Sequence, residues 1–368
     1  LRLFQKSEGL IPHERIHISN STCKYKTVVE EGLARTGFTV EHVRIYRNQL
    51  PVLLKQLAKI PDPRNPQKRK HKLTVLILYG ILTFVYLIPS RREANRVMTK
   101  PQFVENLQLL FPELESIPHH DTLMRLLATI DVDQIEQAHI ELIRRLIRNK
   151  KFYNYLINHS YPIAIDGTQK FKRDEMWSEE CSGRTIGKGD KTRSQYYVYV
   201  LEASLAFHNG MVIPLMSEFL EFTKGDTSES KEDCETKAFK RLAARLKNEF
   251  KRLGIMLLLD GLYPNGPIME ICRKNKWDFM IVLQDKSLRS VWEEFHGLMQ
   301  LQTDQKLGMT WGDRKQEFDW VNNIEYYYGP NQKKKMIFHV VTCKETWKEV
   351  DKSSGEIVTR KSRHAWVS

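Results

Sequence analysis

YPIAIDGTQKF, Tyr161 to Phe171, places Asp166 and Gly167 at the end of a run whose other side chains suit a core, and GIMLLLDGLYPNG, Gly254 to Gly266, repeats the pattern with Asp260 and Gly261. Each apolar run has the length of a buried strand. Between them, QYYVYVLEASLAF (Gln195 to Phe207) and MVIPLMSEFL (Met211 to Leu220) are rich in β-branched and aromatic residues and are separated by HNG, a hairpin signal. A charged helix over about 228–253, containing KAFKRLAARLKNEFKRL, precedes the second Asp run, and a helix over Pro267 to Lys274 leads into WDFMIVL, Trp277 to Leu283. The order is strand, strand, strand, helix, strand, helix, strand.

Three hairpin-linked strands followed by two reached through helices predict a mixed five-stranded α/β sheet with helical cover, the arrangement of an RNase H-like domain. There the first and fourth strands run parallel and adjacent, which brings Asp166 and Asp260 together at one end of the sheet. Close carboxylates repel, and one or two Mg²⁺ ions, hard cations that prefer oxygen ligands, remove the conflict. Two such ions can activate water and stabilise the leaving oxygen of a phosphodiester. Other readings of IAIDGT fail: a haloacid-dehalogenase-type phosphatase needs an Asp where Ala164 stands, and a sugar-kinase loop separates its Asp and Gly by one residue. No Walker-type or dinucleotide glycine motif occurs.

Lys and Arg number 58 against 45 Asp and Glu, a formal charge of +13, which favours a polyanionic partner such as nucleic acid. Between the first and second strands Lys170, Lys172, Arg173, Arg184, Lys188, Lys191 and Arg193 interleave with Trp177, which reads as a loop that tracks phosphates while the indole stacks on a base. Cys23, Cys181, Cys234, Cys272 and Cys343 show no zinc or redox spacing, so free thiols and a reducing, cytoplasmic setting are expected. LRLFQKSEGL lacks a signal-peptide pattern and does not begin with Met. LTVLILYGILTFVYLI, Leu73 to Ile88, falls short of a membrane span and predicts a buried core helix.

Residues 1–60 are poorly patterned apart from an amphipathic segment at Gln49 to Ile60, and residues 61–155 read as a helical DNA-binding or dimerisation domain. PDPRNPQKRKHK, Pro61 to Lys72, opens that domain as an exposed basic linker. Asp121 is the expected N-cap of the helix in IPHHDTLMRLLATI, with His119 and His120 as cap or surface residues rather than ligands. Residues 156–368 are expected to form the RNase H-like domain, with a β-rich segment over about 300–368.

IAIDGT, the hairpin YYVYVLEASLAFHNGMVIPLMSEFLE, the helix opening KEDCETKAFKRL and LLLDGLYP together resemble the catalytic domain of bacterial insertion-sequence DDE transposases. DPRNPQKRKHKLTVLILYGILTF and IPHHDTLMRLL resemble the helical region before it, so the resemblance runs from about Pro61 to Ser368. It implies an RNase H-like fold and metal-dependent DNA cleavage and strand transfer, with Mg²⁺, or alternatively Mn²⁺, on Asp166 and Asp260. The implied partners are double-stranded transposon ends and target DNA, bound by a homodimer in the bacterial cytoplasm or nucleoid, with no membrane. Glu218, Glu221, Asp233 and Glu235 are candidates for supporting roles.

The family's third ligand is a Glu on a late helix. After the helix SLRSVWEEFHGLMQ come MTWGDRKQEFDWV, IEYYYG, KKMIFHVVTCKETWKEV and HAWVS, which read as strands inserted into the catalytic core. The implied Glu helix follows such an insertion, so the sequence reads as truncated before it, with Glu294 or Glu293 as the competing third ligand. Trp311 and Trp320 in the insertion are candidates to hold a flipped base. The alternatives to an active transposase are an inactive DNA-binding remnant and another RNase H-like nuclease.

Overall fold

The computed structural model describes residues 51–108, 111–112, 114, 116–177, 181–187, 189, 192–220, 231–301, 304–351 and 355–368, without the side chains of residues 51, 91, 102, 106 and 231–234. They fall into two compact units, divided between Phe152 and Tyr153.

The first unit is helical: α1 (Pro51–Leu57), α2 (Leu73–Val85), α3 (Arg91–Val97), α4 (Pro101–Gln108), α5 (His120–Leu127) and α6 (Val132–Arg148). The apolar run is the buried helix α2, whose Leu76 and Tyr79 lie in a core with Leu57, Met98 and Leu126. None of the described helices is long and apolar enough to cross a membrane. The basic linker proves to be a tied loop. Arg64 forks onto the Asp62 carboxylate at 2.9 and 2.6 Å and donates to the His71 carbonyl, while Arg69 folds back onto the carbonyls of Asp62 and Arg64. These bonds hold the Asp62 carboxyl below its ordinary range. Lys68 and Lys70 are exposed there, as is Arg69. The cap of α5 also differs: His119, not Asp121, is the N-cap, and its Nδ1 accepts from the Asp121 amide at 3.3 Å. Asn95 holds this corner by accepting the His120 amide at 2.9 Å.

The second unit is built on one sheet. Its strands are β1 (Tyr161–Arg173), β2 (Ser182–Ile186), β3 (Arg193–Ala206), β4 (Val212–Phe219), β5 (Ile255–Leu259), β6 (Asp278–Val282), β7 (Lys306–Trp311), β8 (Arg314–Tyr328), β9 (Lys334–Val350) and β10 (Ile357–Val367). Its helices are α7 (Lys231–Glu249), α8 (Gly266–Asn275) and α9 (Arg289–Leu301). The order is β2-β3-β1-β5-β6-β10-β9-β8-β7, with β4 also paired to β3. β1 and β5 are parallel neighbours, β5 and β6 are parallel, and β3 runs antiparallel to β1.

The expected five-stranded sheet and its inserted β-rich segment form one ten-stranded sheet. Trp366 and Val367 of β10 pair with Val282 and Ile281 of β6, so the added strands extend the central sheet sideways. The apolar alternation on each strand was legible, but a ladder is made by backbone groups that no side-chain pattern identifies. On one face of the central strands Ile163, Ile165, Leu201, Ala203, Leu257 and Ile281 are almost wholly buried, whereas Ala164, Glu202 and Leu258 on the other are half-buried. Helix α7 packs on β3 and β4, α8 on α7 and β6, and α9 on β8.

The proposed phosphate-tracking loop is also mostly strand. Lys170, Lys172 and Arg173 lie on β1, Arg184 on β2 and Arg193 on β3, in a ribbon broken by a bulge at Phe171, which has φ 49°. The ribbon buries little, so its polar residues carried no period to reveal it.

If the added strands share a core with the rest, Phe338 is the residue to test. It is fully buried, 6.2 Å edge-on from Phe279 of β6 and stacked on Tyr326 of β8. Phe338→Ala should cost about 3–5 kcal/mol in chemical denaturation. A loss below about 1 kcal/mol would show that this packing contributes little.

Candidate active site at the ends of β1 and β5

The last parallel pair of β1 and β5 is Ile165 with Leu259. Asp166 and Asp260 are the next residue on each chain, so both acids stand at the same end of the same pair of strands. Asp166 is exposed and Asp260 half-buried, and the Asp260 carboxylate also accepts the Leu262 amide at 3.0 Å, which starts the turn toward α8.

The two glycines have one cause each. A Cβ on Gly167 would lie 2.3 Å from the Tyr199 hydroxyl oxygen and 2.7 Å from its ring. A Cβ on Gly261 would lie 2.5–2.7 Å from the Gln284 side chain. The Asp-Gly repeat therefore leaves backbone bare where Tyr199 and Gln284 close in beside the acids. Gln284 is itself fixed, because its carbonyl accepts the Trp292 indole N–H at 3.0 Å.

Glu235, one of the acids expected in a supporting role, lies beside two tyrosines near this end of the sheet. It lies near the start of α7, is buried, and accepts the Tyr263 hydroxyl at 3.1 Å; the Tyr263 ring packs on Phe239. Burial raises the Tyr263 phenol, and the negative charges of Glu235 and Asp260 raise it further. Tyr199 is pushed up to about 12, first by burial and then by Glu235, Asp166 and Asp260. One phenol thus feels all three carboxylates, and stays protonated at any physiological pH. A buried acid beside two tyrosines was the available signal, but only the fold puts residues 199, 235 and 263 together.

The other predicted acids go elsewhere. Glu218 clamps β4 to α7 through Arg241 at 2.5 Å and Arg245 at 2.9 Å. Glu293 pairs with Arg289 on the exposed side of α9, and Glu294 is half-buried on the same helix. Neither is among the charges that shift Tyr199 or Tyr263. Glu221, Lys188 and Lys191 lie outside the described residues, as does the Asp233 side chain. Among the described residues, no three His, Cys, Asp or Glu side chains converge on a metal-sized space. Asp166 and Asp260 nevertheless offer only oxygen donors, the set that hard divalent cations take.

Of the basic residues, Lys170 pairs with Glu202 at 3.2 Å and Arg193 with Asp174 at 3.4 Å. Arg173 lies over the Trp177 ring and Arg184 over Tyr197, each 5.3 Å from the centroid. Trp311 is exposed on β7, and Trp320 lines a cavity of about 190 Å³ with Met280, His339 and Trp366. Cys181, Cys272 and Cys343 are buried free thiols.

Residues 54–143 match the DDE_Tnp_1-associated family model. The match lies within the helical unit. No curated protein matches the chain. A solved piggyBac transposase, in a synaptic complex with hairpin DNA, matches with 10% identity and a TM-score of 0.31 over 86% of this chain and 58% of that one. The chain thus spans less than two thirds of that protein, and a likeness this slight carries no weight for the fold.

Gly167→Ala should destabilise the protein by about 1–3 kcal/mol, the range for forcing atoms into a filled space. In a Tyr199→Ala background most of that cost should vanish, and additive losses in denaturant melts would refute the close approach. A second expectation follows from the phenol. A group whose pKa rises on folding, here from 10.0 to about 12, gives stability that is complete below pH 10 and is lost as pH climbs through about 12. Stability should therefore fall less steeply between those pH values in Tyr199→Phe than in the parent, and equal slopes would contradict the shift.

Proposed function

We propose that the chain is a DDE-type DNA transposase that cleaves and joins strands at insertion-sequence ends, with Asp166 and Asp260 as its metal-holding carboxylates on an RNase H-like sheet. The observation that carries this reading is the shared β1/β5 register, which delivers the two acids to one strand end. The strand order β4-β3-β1-β5-β6 supports the RNase H-like assignment, since it has β1 at the centre, two antiparallel strands on one side and two parallel strands on the other. The transposase-associated match in the helical unit supports the same function.

In this reading residues 61–155 bind DNA or a second subunit, residues 156–368 hold the chemistry, and the strands from about residue 300 are the insertion. The protein works as a homodimer on transposon ends and target DNA in the bacterial cytoplasm. Mg²⁺ or Mn²⁺ would be held by Asp166 and Asp260, and when bound supplies polarisation of the phosphodiester and a more acidic water. The chain's own residues provide the rest. Asp166 and Asp260 supply fixed negative charge, and the turn amide of Leu262 orients Asp260. Glu235 holds the Tyr263 hydroxyl behind them as a positioning residue. Lys172, Arg173, Arg184 and Arg193 grip the backbone of the DNA, which positions it without reading sequence.

Asp166→Asn and Asp260→Asn should each abolish Mg²⁺-dependent nicking of transposon-end DNA while leaving duplex affinity within about twofold, because docking rests on Lys and Arg. Mn²⁺ binding followed by electron paramagnetic resonance gives a readout independent of cleavage, and should weaken in both variants. Unchanged Mn²⁺ affinity in either would falsify the ligand assignment.

A further inference from the structure

Strands β8, β9 and β10 form a broad antiparallel ribbon whose two faces treat charge in opposite ways. Lys315 pairs in register with Thr346, and Thr346 with Lys361; Lys344 lies between Glu317 and Arg363; Lys348 lies opposite Thr359. Side chains in register share a face, so Lys315, Lys344, Lys348, Lys361 and Arg363 stand on the same side, joined by Lys306 of β7, which pairs with Asp319. All six are exposed. Lys344 reaches Asp319 at 3.8 Å, but among the described residues Lys306, Lys315, Lys348 and Lys361 make no ion pair.

The opposite face spends its acids internally. Glu345 is buried and accepts from Arg314 at 2.8 Å, Ser362 at 3.3 Å and Gln316. Arg360 bridges Glu349 at 2.7 Å and Asp351 at 3.1 Å, and Arg314 lies 4.4 Å from the Trp347 ring centroid. On the lysine face Asp319 reaches only Lys344, and among the described residues Lys306, Lys315, Lys348 and Lys361 have no acid partner. Their side chains recur about 6.6–6.8 Å apart along a strand and about 4.8 Å between strands, a broad positive surface rather than a single anion pocket.

The lysine face also ends beside the candidate active site. The Arg363 guanidinium lies 5.1 Å from the Trp292 ring centroid, the Trp292 indole donates to the Gln284 carbonyl, and the Gln284 side chain lies against Gly261, the neighbour of Asp260.

We propose that this face of β8–β10 is a second backbone-binding surface for duplex DNA, separate from the β1–β3 ribbon and extending from the edge of the carboxylate site. The inference rests on the transposase reading and deepens it by naming where additional duplex lies. Duplex DNA fits because it carries about one negative charge per 1.7 Å of axis, enough to engage several spaced lysines together.

The test is a salt titration of duplex binding by the 368-residue chain, comparing the parent, the triple variant Lys315→Gln/Lys348→Gln/Lys361→Gln and the ribbon variant Lys172→Gln/Arg173→Gln. Each lost phosphate contact should lower the slope of log K against log salt by about 0.9, so the triple variant should lose about 2–3 from the slope. A Lys→Arg triple at the same positions should keep it, because charge is what counts. All targeted side chains are exposed, so thermal melts should match the parent. If the parent binds and the ribbon variant alone lowers the slope, this surface is excluded while the functional reading stands. If the parent shows no affinity for duplex even at low salt, both fall.

Discussion

The constraint on which the site depends is the parallel register of β1 and β5. Pairing Ile165 with Leu259 leaves no freedom in where Asp166 and Asp260 emerge. Parallel strands need a crossover between them, and here β3, β4 and α7 supply it. That excursion carries Tyr199, which closes on Gly167, and Glu235, which accepts the Tyr263 hydroxyl. The glycines complete the arrangement by subtraction, since any side chain at 167 or 261 would occupy space that Tyr199 or Gln284 already fills.

Electrostatics then divides the second unit into regions with different tasks. The charges of Glu235, Asp166 and Asp260 all help raise the Tyr199 phenol. Elsewhere acids are matched to arginines that tie elements together: Glu218 joins β4 to α7, and Glu345 joins β8 to β9. Lysines without an ion pair among the described residues, Lys306, Lys315, Lys348 and Lys361, stand on one face of β7–β10.

The helical unit shows how local bonding changes the meaning of a charged sequence. PDPRNPQKRKHK has the composition of a tether, yet Arg64 and Arg69 are used up in holding Asp62 and nearby carbonyls. A guanidinium presents several donors in a rigid plane and can satisfy a carboxylate and a carbonyl together, which an ammonium does less well. Lys68 and Lys70 of the same segment are exposed.

Much of this was legible in the sequence. The alternation of Ile163 and Ile165, the apolar run before Asp260 and the hairpin at HNG fixed the central strands, because burial on one or both faces leaves a period in the side chains. The Asp-Gly repeats marked the strand ends for the same reason. What the sequence could not decide was anything made by backbone pairing or distant approach. The extension of the sheet through β10, the ribbon formed by β1, β2 and β3, and the meeting of Glu235 with Tyr263 and Tyr199 leave no local signature, because a ladder bond does not depend on side-chain identity and contacts between residues 199, 235 and 263 exist only once the chain has crossed over and packed α7 on the sheet.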